Sequence, residues 1–452
     1  MIRCAHVWGR GLALVGISIA SVVVFPGAVA AEGFPAFNVT LLGRVDLGDF
    51  PDNQSRGSDI WAYVSPSGRE YAIVGLQGGT AFVEVTDPTA PNVVGYIDGP
   101  NSIWRDMRVL GEYAYMVSEE GNGLQIADLT RIDDGIVTLA NNSHLNGFFN
   151  KAHNISVNVD SGYAYLVLTD LAVGLIALDL SNPVAPQIAG VWNVLDLHDV
   201  QVHTYTSGKY AGREIAFGFG EENGLQIIDV TVKSNMVTLS SLLYPNTTYC
   251  HQGWLSDDMR YVFIGDELDE ISRPGVTTTT TYVVDVSDLE HPQFVTSFST
   301  GLPAIDHNLM VRGNHVFEAN YSSGLRVFDF CDINNVQQVA FFDTHPENDN
   351  RNFDGAWGTF ARLPSGIIMV SDRDRGLFVF DVVGLRGCTG SSDWDGDGDV
   401  DIRDYAQFKE CAGGQGVAAG SDCDVFDADG DEDVDLGDFG AMQIRFTGTK
   451  WR

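Results

Sequence analysis

Hydrophobic and polar residues alternate along most of the chain in short runs, each broken by Gly, Pro, Asp or Asn, and such runs read as half-buried β-strands. Four of them follow one another between residues 153 and 191: His153 to Val157, Tyr163 to Val167, Gly174 to Leu180, and Gln187 to Val191 after Pro186. Helical periodicity is absent from this part of the chain, so the spacing predicts an all-β architecture.

The pattern repeats. A Gly-Leu-x-Ile-x-Asp signature occurs at Gly123 to Asp128, Gly174 to Asp179, Gly224 to Asp229, Gly324 to Asp329 and Gly376 to Asp381, with degenerate copies ending at Glu84 and Asp285. The seven marker acids lie 44 to 56 residues apart, a period that suits a four-stranded propeller blade and exceeds a leucine-rich coil. The segment Phe37 to Val45 resembles the fourth strand of other periods, such as Pro91 to Ile97, whereas the last period lacks a fourth strand. An N-terminal strand that completes the seventh blade closes the ring and removes the sheet edges an open solenoid would expose. The expected fold is a seven-bladed β-propeller over residues 31–388.

The two ends depart from this pattern. A charged start marked by Arg3 and Arg10 precedes an apolar stretch from Leu12 to Phe25, followed by the cleavage signal Ala28-Val29-Ala30; residues 1–30 read as a signal peptide, too short in its apolar part for the roughly 20 residues of a bilayer span. The mature protein is expected to be secreted, extracellular or at the cell surface, with no transmembrane segment. Export leaves Cys250, Cys331, Cys388, Cys411 and Cys423, an odd number in an oxidising compartment. Cys411 with Cys423 and Cys331 with Cys388 are the expected pairs, which leaves Cys250 free. A formal charge of −35 argues against a nucleic-acid partner.

The signature repeats, together with Ser58-Asp59-Ile60-Trp61, Ala152-His153-Asn154-Ile155, His198-Asp199-Val200-Gln201-Val202, Cys250-His251-Gln252-Gly253-Trp254, Asp266-Glu267-Leu268-Asp269-Glu270 and Asp306-His307-Asn308-Leu309, resemble the choice-of-anchor B family of LVIVD-repeat proteins over nearly all of residues 37–386. The resemblance implies the repeat fold and a variable C-terminal anchor, and it carries no settled activity.

Aligned periods place one polar residue at the head of each first strand: Asp59, Asp106, His153, His198, His251, His307 and Asp354. First strands line a propeller's channel, so these residues should converge on one mouth. Three readings stay open. Each residue bonds backbone groups of its own blade; or neutral imidazoles hold a transition metal such as Zn2+, with the Asp residues as oxygen donors, and activate water in a metal-dependent hydrolase; or the ring contacts a ligand directly. Trp61, Trp104, Trp254 and Trp357 lie near the same blade edges and suit a glycan or other flat small molecule, or an inter-blade core. The acidic run Asp266 to Glu270 reads as a calcium site or as a solvated loop. No G-x-S-x-G, H-E-x-x-H or phosphate-loop motif is present.

Residues 389–452 switch composition: Asp393 to Asp438 holds 16 acidic residues against Arg403 and Lys409, a clustering that points to cations. Asp393, Asp395, Asp397, Asp401 and Asp404 occupy positions 1, 3, 5, 9 and 12 of an EF-hand-like loop, with Gly398 at position 6 and the Asp399 carbonyl at position 7. Asp427, Asp429, Asp431, Asp433, Asp435 and Asp438 repeat the pattern, but Glu432 replaces the position-6 glycine. A left-handed backbone there costs about 1–2 kcal/mol, so the second Ca2+ site should be weaker. Short amphipathic helices are expected over Tyr405 to Cys411 and Phe439 to Phe446. The paired loops resemble a type I dockerin, which implies Ca2+ and docking to an extracellular, cohesin-like protein; Cys411, Cys423 and Glu432 depart from that pattern. The expected function is a secreted calcium-binding interaction scaffold anchored through this tail, and the alternative is the hydrolase built on the histidine ring.

Overall fold

A computed structural model describes residues 33–142, 149–420 and 422–447; the leader reading falls on residues outside these. Seven antiparallel sheets succeed one another along the chain. Their inner strands are Gly57–Val64, Arg105–Leu110, Asn154–Asn158, Asp199–Thr204, Cys250–Leu255, Asn308–Arg312 and Ala356–Phe360. Each inner strand lies beside the next, and the seventh lies beside the first, so the sheets form a closed seven-bladed β-propeller. Blades are numbered here by the order of these strands.

Closure follows the sequence reading and adds one element to it. Val39–Asp46 pairs with Gly376–Val382 and completes blade seven. Just before it, Ala36–Phe37 pairs with Gln337–Phe342 as a fifth strand on blade six. The chain passes between blades at Asn38, which has φ 55°, a left-handed geometry that Asn tolerates, and its side-chain amide donates to the Val339 carbonyl at 2.9 Å.

The repeat signature has a physical basis at each residue. Gly324 has φ +76°, and a Cβ there would lie 2.3 Å from the Phe342 carbonyl oxygen. Leu325 and Val327 are fully buried between blades. The marker acid turns the chain toward the outer strand: the Asp329 carboxylate accepts from the Cys331 amide at 2.7 Å, and Asp229 does the same for Thr231 at 3.0 Å, an Asx-turn. Apolar clusters fill the seams, such as Tyr71, Phe82, Met107 and Met116 between blades one and two. Phe342, Phe378 and Phe380 join blades six and seven where the ring closes.

Helical structure differs from expectation in two places. A helical turn, α1 (Asp269–Ser272), interrupts blade five, where the sequence showed no helical period. In the tail, α2 (Ile402–Cys411) and α3 (Leu436–Arg445) begin about a turn early, because Asp401 with Asp404 and Asp435 with Asp438 form reciprocal capping boxes. The disulfides Cys331–Cys388 and Cys411–Cys423 are present, and Cys250 is free and buried. Among the described residues, no helix is long and apolar enough to cross a membrane.

Candidate functional site

His153, His198, His251 and His307 come from blades three to six and form an arc, with successive ring centroids 4.3, 4.0 and 4.6 Å apart. With Asp59, Trp104 and Trp357 they line a pocket of about 20 Å³, room for one water-sized group. Two residues of the expected ring lie elsewhere. Asp106 is turned toward Arg108 and accepts from the Ile155 amide of the next blade at 2.9 Å. Asp354 is half-buried ahead of its strand, and Trp357 meets His307 in its place.

The histidine hydrogen bonds run between blades rather than within them. His198 Nδ1 bonds the His251 carbonyl oxygen at 3.0 Å, His307 Nδ1 bonds the Trp357 carbonyl oxygen at 2.5 Å, and His153 Nδ1 pairs with Glu119 of blade two. With Nδ1 as donor, His198 and His307 keep Nε2 as the electron-pair side of a neutral ring. Burial holds His198 and His251 well below the ordinary imidazole value, helped by the neighbouring imidazoles, and lowers His307 to about 3.

Glu267 was legible only as one member of an acidic run, yet it reaches this arc. Its carboxylate oxygens lie 3.7 Å from His251 Nε2 and 3.9 Å from His307 Nε2, and it accepts from the Tyr321 hydroxyl at 2.7 Å. Burial raises its carboxyl to about 7. One carboxylate and two neutral imidazoles from adjacent blades are a donor set of the kind that holds a borderline transition metal.

The four tryptophans divide between the two ends of the channel, not along one edge. Trp104 and Trp357 stand at the histidine mouth. Trp61 and Trp254 meet toward the other end, 6.4 Å apart at their centroids, with the Arg108 guanidinium 4.1 Å over Trp61. They line a cavity of about 350 Å³ together with Gln201, His203, Gln252 and Arg362. Between the two ends, burial pushes Asp59 well up and Asp199 to about 7.

The chain carries LVIVD repeats. Their family model matches residues 104–146 and 151–194, the stretches that form blades two and three. No curated protein matches the chain. Among solved structures it is similar to a functionally unknown protein from Desulfotomaculum acetoxidans, at 15% identity and a TM-score of 0.43 over 66% of this chain and 87% of that one. It is also similar to Kuenenia stuttgartiensis hydrazine synthase, at 12% identity and 0.49 over 75% and 98%, and to a protein from Lactobacillus plantarum, at 11% identity and 0.47 over 71% and 89%. Likeness at this level bears on none of this chain's chemistry.

The segment that leads into the aspartate tail is held to the LVIVD propeller by the Cys331–Cys388 disulfide and by the Asn314 amide donating to the Arg386 carbonyl at 3.0 Å, and the tail itself by Arg403 donating to the Pro364 carbonyl at 3.2 Å. Its two loops are built alike. Asp393 accepts from the Gly398 amide at 2.9 Å, and Asp427 accepts from the Glu432 amide at 3.0 Å. Gly398 has φ +91° and Glu432 φ 69°, so Glu432 adopts the left-handed backbone expected at position 6. Oxygens of Asp393, Asp395 and Asp404 lie within 4.8 Å of one another. Burial, with mutual repulsion added, raises Asp393 to about 8, Asp395 to about 6 and Asp404 to about 7. Asp395 Oδ1 is buried without a hydrogen-bond donor, which is the state of an oxygen suited to a cation, whereas Asp433, at position 7 of its loop, turns its carboxylate to the Gly416 amide.

Proposed function

We propose that this protein is an exported, calcium-binding β-propeller that serves as an extracellular or cell-surface interaction scaffold, attached to a protein partner through its tail. The observation that carries this reading is the pair of like-built aspartate loops, the first of which brings oxygens of Asp393, Asp395 and Asp404 within 4.8 Å of one another. Asp393, Asp395, Asp397, Asp401 and Asp404 would hold one Ca2+ with the Asp399 carbonyl, and the Asp427 to Asp438 loop would hold a second. The same position of each loop presents an exposed apolar side chain, Ile402 at 66% and Leu436 at 83% exposure. Between the helices lies a groove of about 630 Å³ lined by Tyr405, Phe408, Leu436 and Phe439. An exported protein with an apolar ridge fits this groove, and calcium would shape it by ordering both loops.

The test is fractionation of the producing cells. Surface or matrix retention should disappear with a calcium chelator, with Asp393→Ala plus Asp427→Ala, and with Ile402→Asp plus Leu436→Asp. Retention unaffected by all three treatments would refute the attachment role.

A second reading rests on a separate observation, the convergence of His251, His307 and Glu267. These residues would hold a transition metal of the Zn2+ class at the channel mouth, where such an ion can polarise a bound water. Elemental analysis of the full chain, purified without chelators or affinity metals, tests it. Near-stoichiometric transition metal lost in His251→Ala supports a metal centre, whereas a metal-free channel leaves the histidines as inter-blade ties.

A further inference from the structure

The helical turn α1 brings Asp269 and Glu270 against Asp306, which lies just ahead of the inner strand of blade six. The three are 0, 1 and 2% exposed, and each offers an oxygen within 4.8 Å of the others. Two of the carboxylate oxygens are engaged: Asp269 Oδ2 accepts from the Tyr282 hydroxyl at 2.6 Å, and Asp306 Oδ2 from the Asp266 amide at 3.0 Å. The remaining four, Asp269 Oδ1, both Oε atoms of Glu270 and Asp306 Oδ1, are buried with no donor. Their neighbour Asp266 shows the contrast, since it accepts from the Tyr244 hydroxyl at 2.8 Å and from the Thr248 and Tyr249 amides at 2.9 and 2.7 Å.

This run is therefore not a solvated loop. Three anionic carboxylates cannot share a buried site without protons or a counter-cation, and the four converging oxygens without donors are arranged for a cation. We propose that Asp269, Glu270 and Asp306 hold a Ca2+ ion between blades five and six, distinct from the aspartate loops of the tail. The donors are all hard oxygens, the preference of Ca2+ rather than of a thiolate- or imidazole-seeking metal. The adjacent His307 does not join them, because its Nδ1 is bonded to the Trp357 carbonyl and its Nε2 lies near Glu267. Glu267 stands two residues ahead of α1, so the ion fixes the segment that delivers this carboxylate to the histidine mouth.

The test uses the full chain with both tail loops silenced by Asp393→Ala and Asp427→Ala. Elemental analysis after gel filtration in calcium should find about one Ca2+ per chain, and a chelator should lower the melting temperature. Adding Glu270→Gln, which is neutral and nearly isosteric, should remove the ion and abolish the chelator's effect; Asp269→Asn is the second variant if that chain does not fold. A loop-silenced chain that binds no calcium and melts at the same temperature with or without chelator overturns the proposal. So does retention of the ion in Glu270→Gln, and in either case the carboxyls are held by shared protons.

Discussion

Replacing Gly324 by alanine measures how much of the propeller's stability depends on the close approach of adjacent strands. The residue has φ +76°, and the new Cβ would meet the Phe342 carbonyl oxygen at 2.3 Å and the Thr344 nitrogen at 2.6 Å. Both are backbone atoms, one in the paired outer strand and one just past its end, so neither can move as a side chain would. The left-handed backbone costs a non-glycine residue about 1–2 kcal/mol, and overpacking adds about 1–3 kcal/mol. Restricting the unfolded chain returns about 0.4–1 kcal/mol, which leaves a net loss of about 1–5 kcal/mol, with about 3 kcal/mol at the middle of the range. Gly68 is the control, because it has φ +87° and nothing within 4 Å of its Cβ position. Gly68→Ala should therefore lose only the conformational part, about 1 kcal/mol. Urea unfolding of the two variants, compared at unchanged m-value, separates the terms. Equal losses within about 0.5 kcal/mol would refute the claim that inter-strand contact, rather than backbone angle alone, demands glycine in the repeat.

Other consequences can be measured independently. Glu432→Gly should tighten calcium binding at the second tail loop about fivefold, which is about 1 kcal/mol of relieved strain, as read by titration calorimetry; unchanged affinity would show that the strain is present equally without the ion. Glu318 is buried, and burial raises its carboxyl to about 7 while Thr281 and Asn320 bond it. The folded state then keeps a proton that the unfolded state loses above its ordinary value near 4.5, so this contribution is fully present below that pH and is lost as pH rises to about 7. The loss amounts to about 3 kcal/mol, and Glu318→Gln should lessen the fall in melting temperature between pH 5 and 7 in saturating calcium, the remaining fall coming from groups such as Asp199 and Glu267. Burial also pushes the Cys250 thiol far up, so iodoacetamide at about pH 8 should modify it only in denaturant. Rapid labelling of the native protein would contradict its placement.

Seven periods, four strands in each and the N-terminal closing strand were legible in the sequence, because strand alternation and turn residues are local and repeat at a fixed spacing. The Cys411–Cys423 pair, 12 residues apart, and the left-handed backbone at Glu432 were legible for the same reason, since each depends on nearby residues in a regular motif; Cys331–Cys388 spans 57 residues, and no local spacing fixes it. The fifth strand on blade six was not, since two residues, Ala36 and Phe37, carry no periodicity of their own. The early starts of α2 and α3 follow from carboxylates that act as helix caps, a role that loop positions alone do not reveal.

The polar ring shows where local reading ends. Repeat alignment placed the four histidines at equivalent strand heads, and the closed ring brought them into an arc, because equivalent positions in a propeller share one radius and one height. It did not bring Asp354 into that arc, and it turned Asp106 toward Arg108. Whether Trp61 and Trp104 stood at one mouth or at opposite ends depended on where each lies along its inner strand, since Trp104 precedes Arg105–Leu110 and Trp61 lies well inside Gly57–Val64. Glu267, Asp269, Glu270 and Asp306 are separated along the chain by up to 39 residues, and only the packing of blade five against blade six placed their oxygens out of water and beside one another. Sequence determined the blades through local periodicity; tertiary structure decided the chemistry, because burial and proximity between blades belong to no single repeat.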